Sequence, residues 1–182
     1  MSDKLKEVQT GSELIFDGKI LHLYRDDIRL PDGNPAEREV VRHVGAVCVI
    51  PILDDGRVVM ERQYRYPVDA VITEIPAGKL DSKAEDRLAA AKRELAEEPG
   101  YTADEWISLG DYYPAAAYCD ERITMYLARG LHRGEQKLDE DEFLNFSFVK
   151  LSDLVDEILS GRVTDGKTQA AVLKACLLLK ND

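Results

Sequence analysis

Residues Gly78–Tyr101 read GKLDSKAEDRLAAAKRELAEEPGY, and this stretch decides how the rest of the chain is understood. Glu94, Glu97 and Glu98 lie three and four residues apart. On a helix, at about 100° per residue, that spacing gathers them within an arc of about 100°. Like charges so placed repel one another by a few tenths of a kcal/mol per pair. The cluster suits either a bound cation or a solvated acidic face. If a cation, hard carboxylate oxygens favour Mg²⁺ or Mn²⁺. Leu88, Ala91 and Leu95 form an apolar stripe at helical spacing beside the carboxylates. Asp81 or Ser82 is expected to cap the start, and Gly100 to end the helix in a left-handed turn. Glu74–Lys79 reads as a short strand running into a Pro/Gly turn. Strand, loop and acidic helix in that order suit a phosphate and a metal.

Working outward, the chain has 182 residues and 45% hydrophobic content, enough for a real core. No apolar run approaches the roughly 20 residues of a membrane span, and the N-terminus shows no apolar signal region. Cys48, Cys119 and Cys176 are scattered and read as reduced thiols, consistent with the cytoplasm. The net charge of −11 disfavours a long nucleic-acid ligand, which needs a basic face. It leaves room for a small anion held by a few arginines and a metal. His22, His43 and His132 are far apart and receive no metal role.

Three zones follow from the pattern. Residues 1–43 read as an antiparallel β meander, with turns at Asp17-Gly18 and at Pro31–Asn34. Such a piece is too small to bury its own apolar face, so it is expected to pack on the rest of the chain or on a second copy. Residues 44–150 hold the main α/β unit. Val44–Leu53 is a nearly continuous apolar run, as in a central strand buried on both faces. Further strands are expected at Arg57–Arg65, Trp106–Tyr113, Ile123–Ala128 and Phe143–Val149. Leu151–Leu159 and Lys167–Leu179 read as closing helices. The expected fold is α/β (α+β): an α/β/α sandwich with a mixed sheet, residues 44–182, preceded by the meander of residues 1–43.

Glu85, then seven residues, then Arg93-Glu94-Leu95-Ala96-Glu97-Glu98-Pro99-Gly100-Tyr101 resembles the signature of the Nudix hydrolases. The sequence departs from it in two places. Six residues rather than five separate Gly78 from Glu85, and Pro99 follows Glu98, where proline disfavours helical backbone and crowds the Leu95 carbonyl. Arg38–Val49, Glu61–Tyr66, Glu74–Lys79 and Val163–Thr168 resemble the ADP-ribose pyrophosphatase branch of that family. Where that branch usually carries a proline after the signature, this chain has Ala116, with Pro114 two residues earlier.

The resemblance implies metal-dependent hydrolysis of the diphosphate of ADP-ribose, or of a similar nucleoside diphosphate sugar, to a nucleoside monophosphate and a sugar phosphate. It also implies a homodimer. The implied metal ligands are Glu94, Glu97, Glu98 and the backbone carbonyl of Ala77, for Mg²⁺ or Mn²⁺. Glu140 and Glu142 are candidates for the base, with Glu97 as the alternative, since some relatives use a signature glutamate. Arg65 resembles an arginine that contacts the diphosphate, Arg38 one that reaches the sugar–phosphate end, and Phe16 an aromatic that stacks on the base. Glu85 and Arg93 are expected to orient the ligands. Two other readings stay open. One is a Nudix pyrophosphatase for a nucleoside triphosphate, dinucleotide or cap-type substrate. The other is a non-catalytic ADP-ribose sensor.

Overall fold

A computed structural model describes residues 4–138 and 143–180. The chain divides into two compact units: Met1–Val44 with Ala115–Glu121, and Gly45–Pro114 with Arg122–Asp182.

The first unit is a three-stranded antiparallel sheet of β1 (Val8–Asp17), β2 (His22–Arg29) and β3 (Pro35–Arg42), in that order. The first turn is longer than Asp17-Gly18 alone: the amide of Gly18 donates to the carbonyl of Leu21 at 2.8 Å. In the second turn the amide of Gly33 donates to Leu30 at 2.9 Å. Gly33 takes a φ of 91°, which a residue with a Cβ rarely adopts. Ala115–Glu121 was expected within the main α/β unit but lies along β3. The amide of Val41 donates to the carbonyl of Tyr118 at 2.8 Å, and the Asp120 carboxylate accepts from the amide of His43 at 2.6 Å.

One polar knot ties this sheet. Asp26 is buried and accepts from the Ser12 hydroxyl at 2.6 Å and from Arg42 Nη2 at 2.9 and 3.0 Å. The Arg42 guanidinium in turn lies 4.0 Å from the centre of the Tyr24 ring. The Ser12 hydrogen bond, and after it Arg42 against the opposing effect of burial, holds the Asp26 carboxyl below its ordinary value of 3.8.

The second unit holds two sheets and three helices. Strand β4 (Ala46–Pro51) pairs parallel with β9 (Ile123–Arg133) and antiparallel with β7 (Ala77–Lys79). With β8 (Tyr101–Tyr112) they form a sheet in the order β7-β4-β9-β8. The other sheet has the order β10-β5-β6, from β5 (Arg57–Arg65), β6 (Ala70–Glu74) and β10 (Asn145–Lys150). The helices are α1 (Arg87–Glu97), α2 (Leu151–Leu159) and α3 (Gly166–Leu179). Every residue of β4 is buried. Ala46, Cys48 and Ile50 join a core with Met60, Ile75 and Met125, closed by Leu154 and Ile158 of α2 and Ala171, Val172 and Ala175 of α3. Val47 and Val49 face the other way by strand alternation, on the side covered by α1. This is the expected mixed α/β arrangement, with β4 as its central strand. Among the described residues no helix is long and apolar enough to cross a membrane.

The structure corrects two further expectations. Glu74–Lys79 is not a short strand followed by a turn: β6 ends at Glu74 in one sheet, the chain turns at Ile75–Pro76, and β7 starts at Ala77 in the other. Pro76 sits at the corner, where it has no amide to leave unpaired, and its carbonyl accepts from Val49 at 2.9 Å. Helix α1 begins at Arg87 rather than near Asp81. Its N-cap is Asp86, whose carboxylate accepts from the amide of Ala89 at 2.8 Å.

The Asp26 knot yields a stability prediction. Replacing Asp26 with alanine leaves Arg42 and Ser12 without their acceptor, at an expected cost of about 1–3 kcal/mol in urea unfolding at pH 7. A group whose carboxyl is held low contributes stability that is present above its unfolded value and lost as pH falls below it. The gap between wild type and Asp26→Ala should therefore shrink below pH 3.8. A gap that stays constant into that range would remove Asp26 as an ionised partner.

Candidate active site

Helix α1 presents its carboxylates in two different settings. Ala90, Ala91, Glu94 and Leu95 are buried together, and Glu98 lies one turn beyond Glu94. Two successive alanines let the helix approach the sheet closely. Glu94 and Glu98 are 7% and 5% exposed, so they do not lie on a solvated face, whereas the Glu97 side chain is 44% exposed.

What admits Glu94 into this tight space is Gly78. A Cβ built on Gly78 would fall 2.0 Å from the Glu94 carboxyl carbon and 2.1 Å from its Oε1. Gly78 pairs with Val47 of β4, so the missing side chain points to the α1 face. The carboxylate occupies that space. Glu98 is fixed to the neighbouring residue: its Oε2 accepts from the amide of Ala77 at 3.2 Å.

Pro99 does not drive Glu98 out of helical backbone, as its position suggested. Glu98 stays right-handed at φ −73°, ψ −76°, and its amide still donates to Glu94 at 3.0 Å. Burial and the bond to Ala77 outweigh the local preference. The helix does end there, and Gly100 turns left-handed at φ 72° as expected.

Arg93 gathers the remaining acids. Its Nη1 contacts Glu94 Oε1 at 2.7 Å and Glu97 Oε2 at 3.1 Å, and its Nη2 reaches Glu85 Oε1 at 3.4 Å and the Lys79 carbonyl at 3.3 Å. Burial alone would lower the pKa of Arg93, but Glu94, Glu97, Asp81 and Glu85 together outweigh it and raise the value above its ordinary one, so the guanidinium is firmly charged. Glu85 precedes α1 and closes the loop by accepting from the amide of Asp81 at 2.6 Å. The extra residue between Gly78 and Glu85 is taken up in this loop, outside the helix.

Ala77, Gly78, Lys79, Asp81, Arg93, Glu94, Glu97, Glu98 and Lys137 line a cleft of about 310 Å³. Lys137 is a lining residue that the motif did not mark. Its backbone amide donates to the Glu97 carbonyl at 2.8 Å, and no local pattern announces that contact across 40 residues. Among the described residues, no three Asp, Glu, His or Cys side chains converge as a ready-made metal cage. Arg93 takes that neutralising role for Glu94 and Glu97. The donor set still fits a hard divalent ion: two buried carboxylates, a third at the rim, and a backbone placed beside them by a glycine cradle.

Residues 41–171 match the NUDIX domain, and residues 7–41 match the nucleoside diphosphate sugar hydrolase N-terminal domain. This chain belongs to the Nudix hydrolase family. Nudix hydrolases generally require a divalent metal. The chain is 41% identical over 170 residues to the ADP-ribose pyrophosphatase of Bacillus subtilis, covering 92% of this chain and 91% of that protein. It is also 41% identical over 174 residues to the methanol dehydrogenase activator of Bacillus methanolicus, covering 94% of each. A crystal structure of an ADP compounds hydrolase superposes with a TM-score of 0.86 at 22% identity, covering 99% of this chain and 98% of that one, and shows the same fold.

The other residues marked in the sequence of this Nudix hydrolase are spread more widely. Arg65 closes β5 and grips Glu74 with Nε at 2.8 Å and Nη2 at 2.9 Å. Arg38 belongs to the first unit, where it forms a two-pronged pair with Glu7 at 2.5 and 3.1 Å. Phe16 lies on β1 of the first unit and is 56% exposed, not a buried core residue. Glu140 and Glu142 lie outside the described residues.

The cradle generates a test. Gly78→Ala forces the Glu94 carboxylate out of its place. We expect a folded protein that loses most of its turnover and its Mg²⁺-dependent rise in melting temperature. Full activity in that variant would show that Glu94 can work from elsewhere.

Proposed function

We propose that this chain hydrolyses the diphosphate of ADP-ribose, or of a similar nucleoside diphosphate sugar, to a nucleoside monophosphate and a sugar phosphate. The observation that carries this reading is the pair of buried carboxylates, Glu94 and Glu98, held against Gly78 and Ala77 at the wall of a cleft.

In this reading Glu94, Glu97, Glu98 and the Ala77 carbonyl hold Mg²⁺ or Mn²⁺. When bound, the ion screens the phosphate oxygens and lowers the pKa of water. A water oxygen forms a new bond to one phosphorus, and the bond from that phosphorus to the bridging oxygen breaks. The second phosphate leaves with the bridging oxygen, and with both products as phosphate monoester dianions the two protons of the water are released overall. Glu140, Glu142 or Glu97 accepts the water proton. Arg65 holds the diphosphate, and the Glu85–Arg93 pair keeps the acids of α1 oriented. Residues 1–43 form the dimerisation and base-recognition domain, and residues 44–182 the hydrolase domain. Exposed Val8, Leu14, Ile15 and Phe16 on β1 support a homodimer. There Phe16 stacks on the base and Arg38 reaches the sugar–phosphate end. We place the enzyme in the cytoplasm, acting without a nucleic-acid or membrane partner.

A substrate panel with Mg²⁺ tests the function: ADP-ribose, ADP-glucose, GDP-mannose, a diadenosine polyphosphate and dGTP, with release of monophosphate or pyrophosphate followed. Cleavage of a diphosphate-linked sugar is expected, and exclusive release of pyrophosphate from dGTP would refute the proposal. Glu98→Gln should lower kcat at least a hundredfold, about 2.7 kcal/mol of transition-state stabilisation. Unchanged kcat would remove Glu98 from the site.

A further inference from the structure

Behind Arg65 lies a buried ionic network that the cleavage scheme does not use. Glu74 ends β6 and is 1% exposed. Its carboxylate takes Arg65 at both oxygens, and Oε2 also takes the ammonium of Lys167 from α3. Lys167 is 8% exposed and lies 3.2 Å from Asp165 Oδ2. Asp165 caps α3 by accepting from the amide and hydroxyl of Thr168, at 2.9 and 2.6 Å. The Thr168 hydroxyl accepts in turn from the amide of Ile75 at 3.0 Å. The start of α3 therefore grips Glu74 by its side chain and Ile75 by its backbone, two to three residues ahead of Ala77.

Stability alone gives little reason for this arrangement, since buried ion pairs are often replaced by apolar groups without loss. Orientation gives a better one. A guanidinium has five N–H donors in a rigid fork. Glu74 engages Nε and one N–H of Nη2, which leaves both donors of Nη1 and the second of Nη2. They form the edge away from Glu74, and the Arg65 side chain is 42% exposed. That edge suits two phosphate oxygens.

We propose that Lys167 is a positioning residue: with Asp165 it locks Glu74, so that Glu74 presents the outer edge of Arg65 to the diphosphate of the substrate. This rests on the function proposed above, and on Arg65 as the diphosphate contact. Without Lys167, Glu74 loses its second cation and Arg65 loses a fixed partner, while the cleft acids are untouched.

The test is a double-mutant cycle between Lys167→Met and Arg65→Ala. Each is measured for KM and kcat with ADP-ribose, for the Kd of inorganic pyrophosphate, and for melting temperature. Lys167→Met should raise KM and the pyrophosphate Kd roughly tenfold, with kcat changed much less. Lys167→Arg should restore most of the loss. In the Arg65→Ala background Lys167→Met should add nothing. Multiplicative effects, or an unchanged KM and Kd in Lys167→Met, would overturn the proposal. If Lys167→Met does not fold, Glu74→Gln in the same cycle reads the same coupling. Absent turnover in the wild type would refute the function, whereas an intact pyrophosphate coupling would leave the role of Lys167 standing.

Discussion

The arrangement of the cleft depends on one steric fact: Gly78 has no side chain. A carboxylate buried to the depth of Glu94 must be met by a charge or by hydrogen bonds, and it must first fit. The space a Cβ would fill on Gly78 is the space the carboxyl group occupies. From that contact follow the close approach of α1 to the sheet through Ala90 and Ala91, and the placing of Glu98 beside the amide of Ala77. The register of β7 on β4 sets which residue faces the helix. A shift by one residue would turn Ala77 toward Glu94 and close the space.

Electrostatics complete what sterics allow. The cleft lining sets the carboxylates of Asp81, Glu94, Glu97 and Glu98 against Lys79, Arg93 and Lys137, and Arg93 holds Glu85, Glu94 and Glu97 together from within the same segment. A second set of ions lies in the same unit, where Glu74 joins Arg65 to Lys167. In both sets one group engages several partners of opposite charge, and orientation is the shared consequence. The first organises acids around a cleft suited to a cation, and the second holds a cation with an edge left for an anion.

Much of this was legible in the residues. Val44–Leu53 announced a strand buried on both faces, because only a central strand tolerates an unbroken apolar run. The limits of β5 and of α2 fell where turn residues and apolar periodicity placed them. The start of α1 did not, since Asp81, Ser82 and Asp86 are all acceptable caps. Only the loop closed by Glu85 on the amide of Asp81 selects the last of them. Nor did local sequence show that Glu74 and Ala77 serve different sheets, because strand partners lie far along the chain. For the same reason Lys137 and Lys167 escaped notice: each reaches its partner across 40 residues or more.

By itself, the sequence determined the chemistry of the cleft: the spacing of Glu94, Glu97 and Glu98 on one helix, the preceding Gly78 and the arginine among them. Spacing along a helix is a local property, and it survives any tertiary arrangement. The tertiary structure alone decided which carboxylates are buried, that Glu98 keeps helical backbone before Pro99, and that the ammonium of Lys167 stands behind Arg65. Those outcomes depend on burial and on contacts between distant segments. There, the free energy of one long-range hydrogen bond or one excluded Cβ exceeds the local preference that the sequence displays.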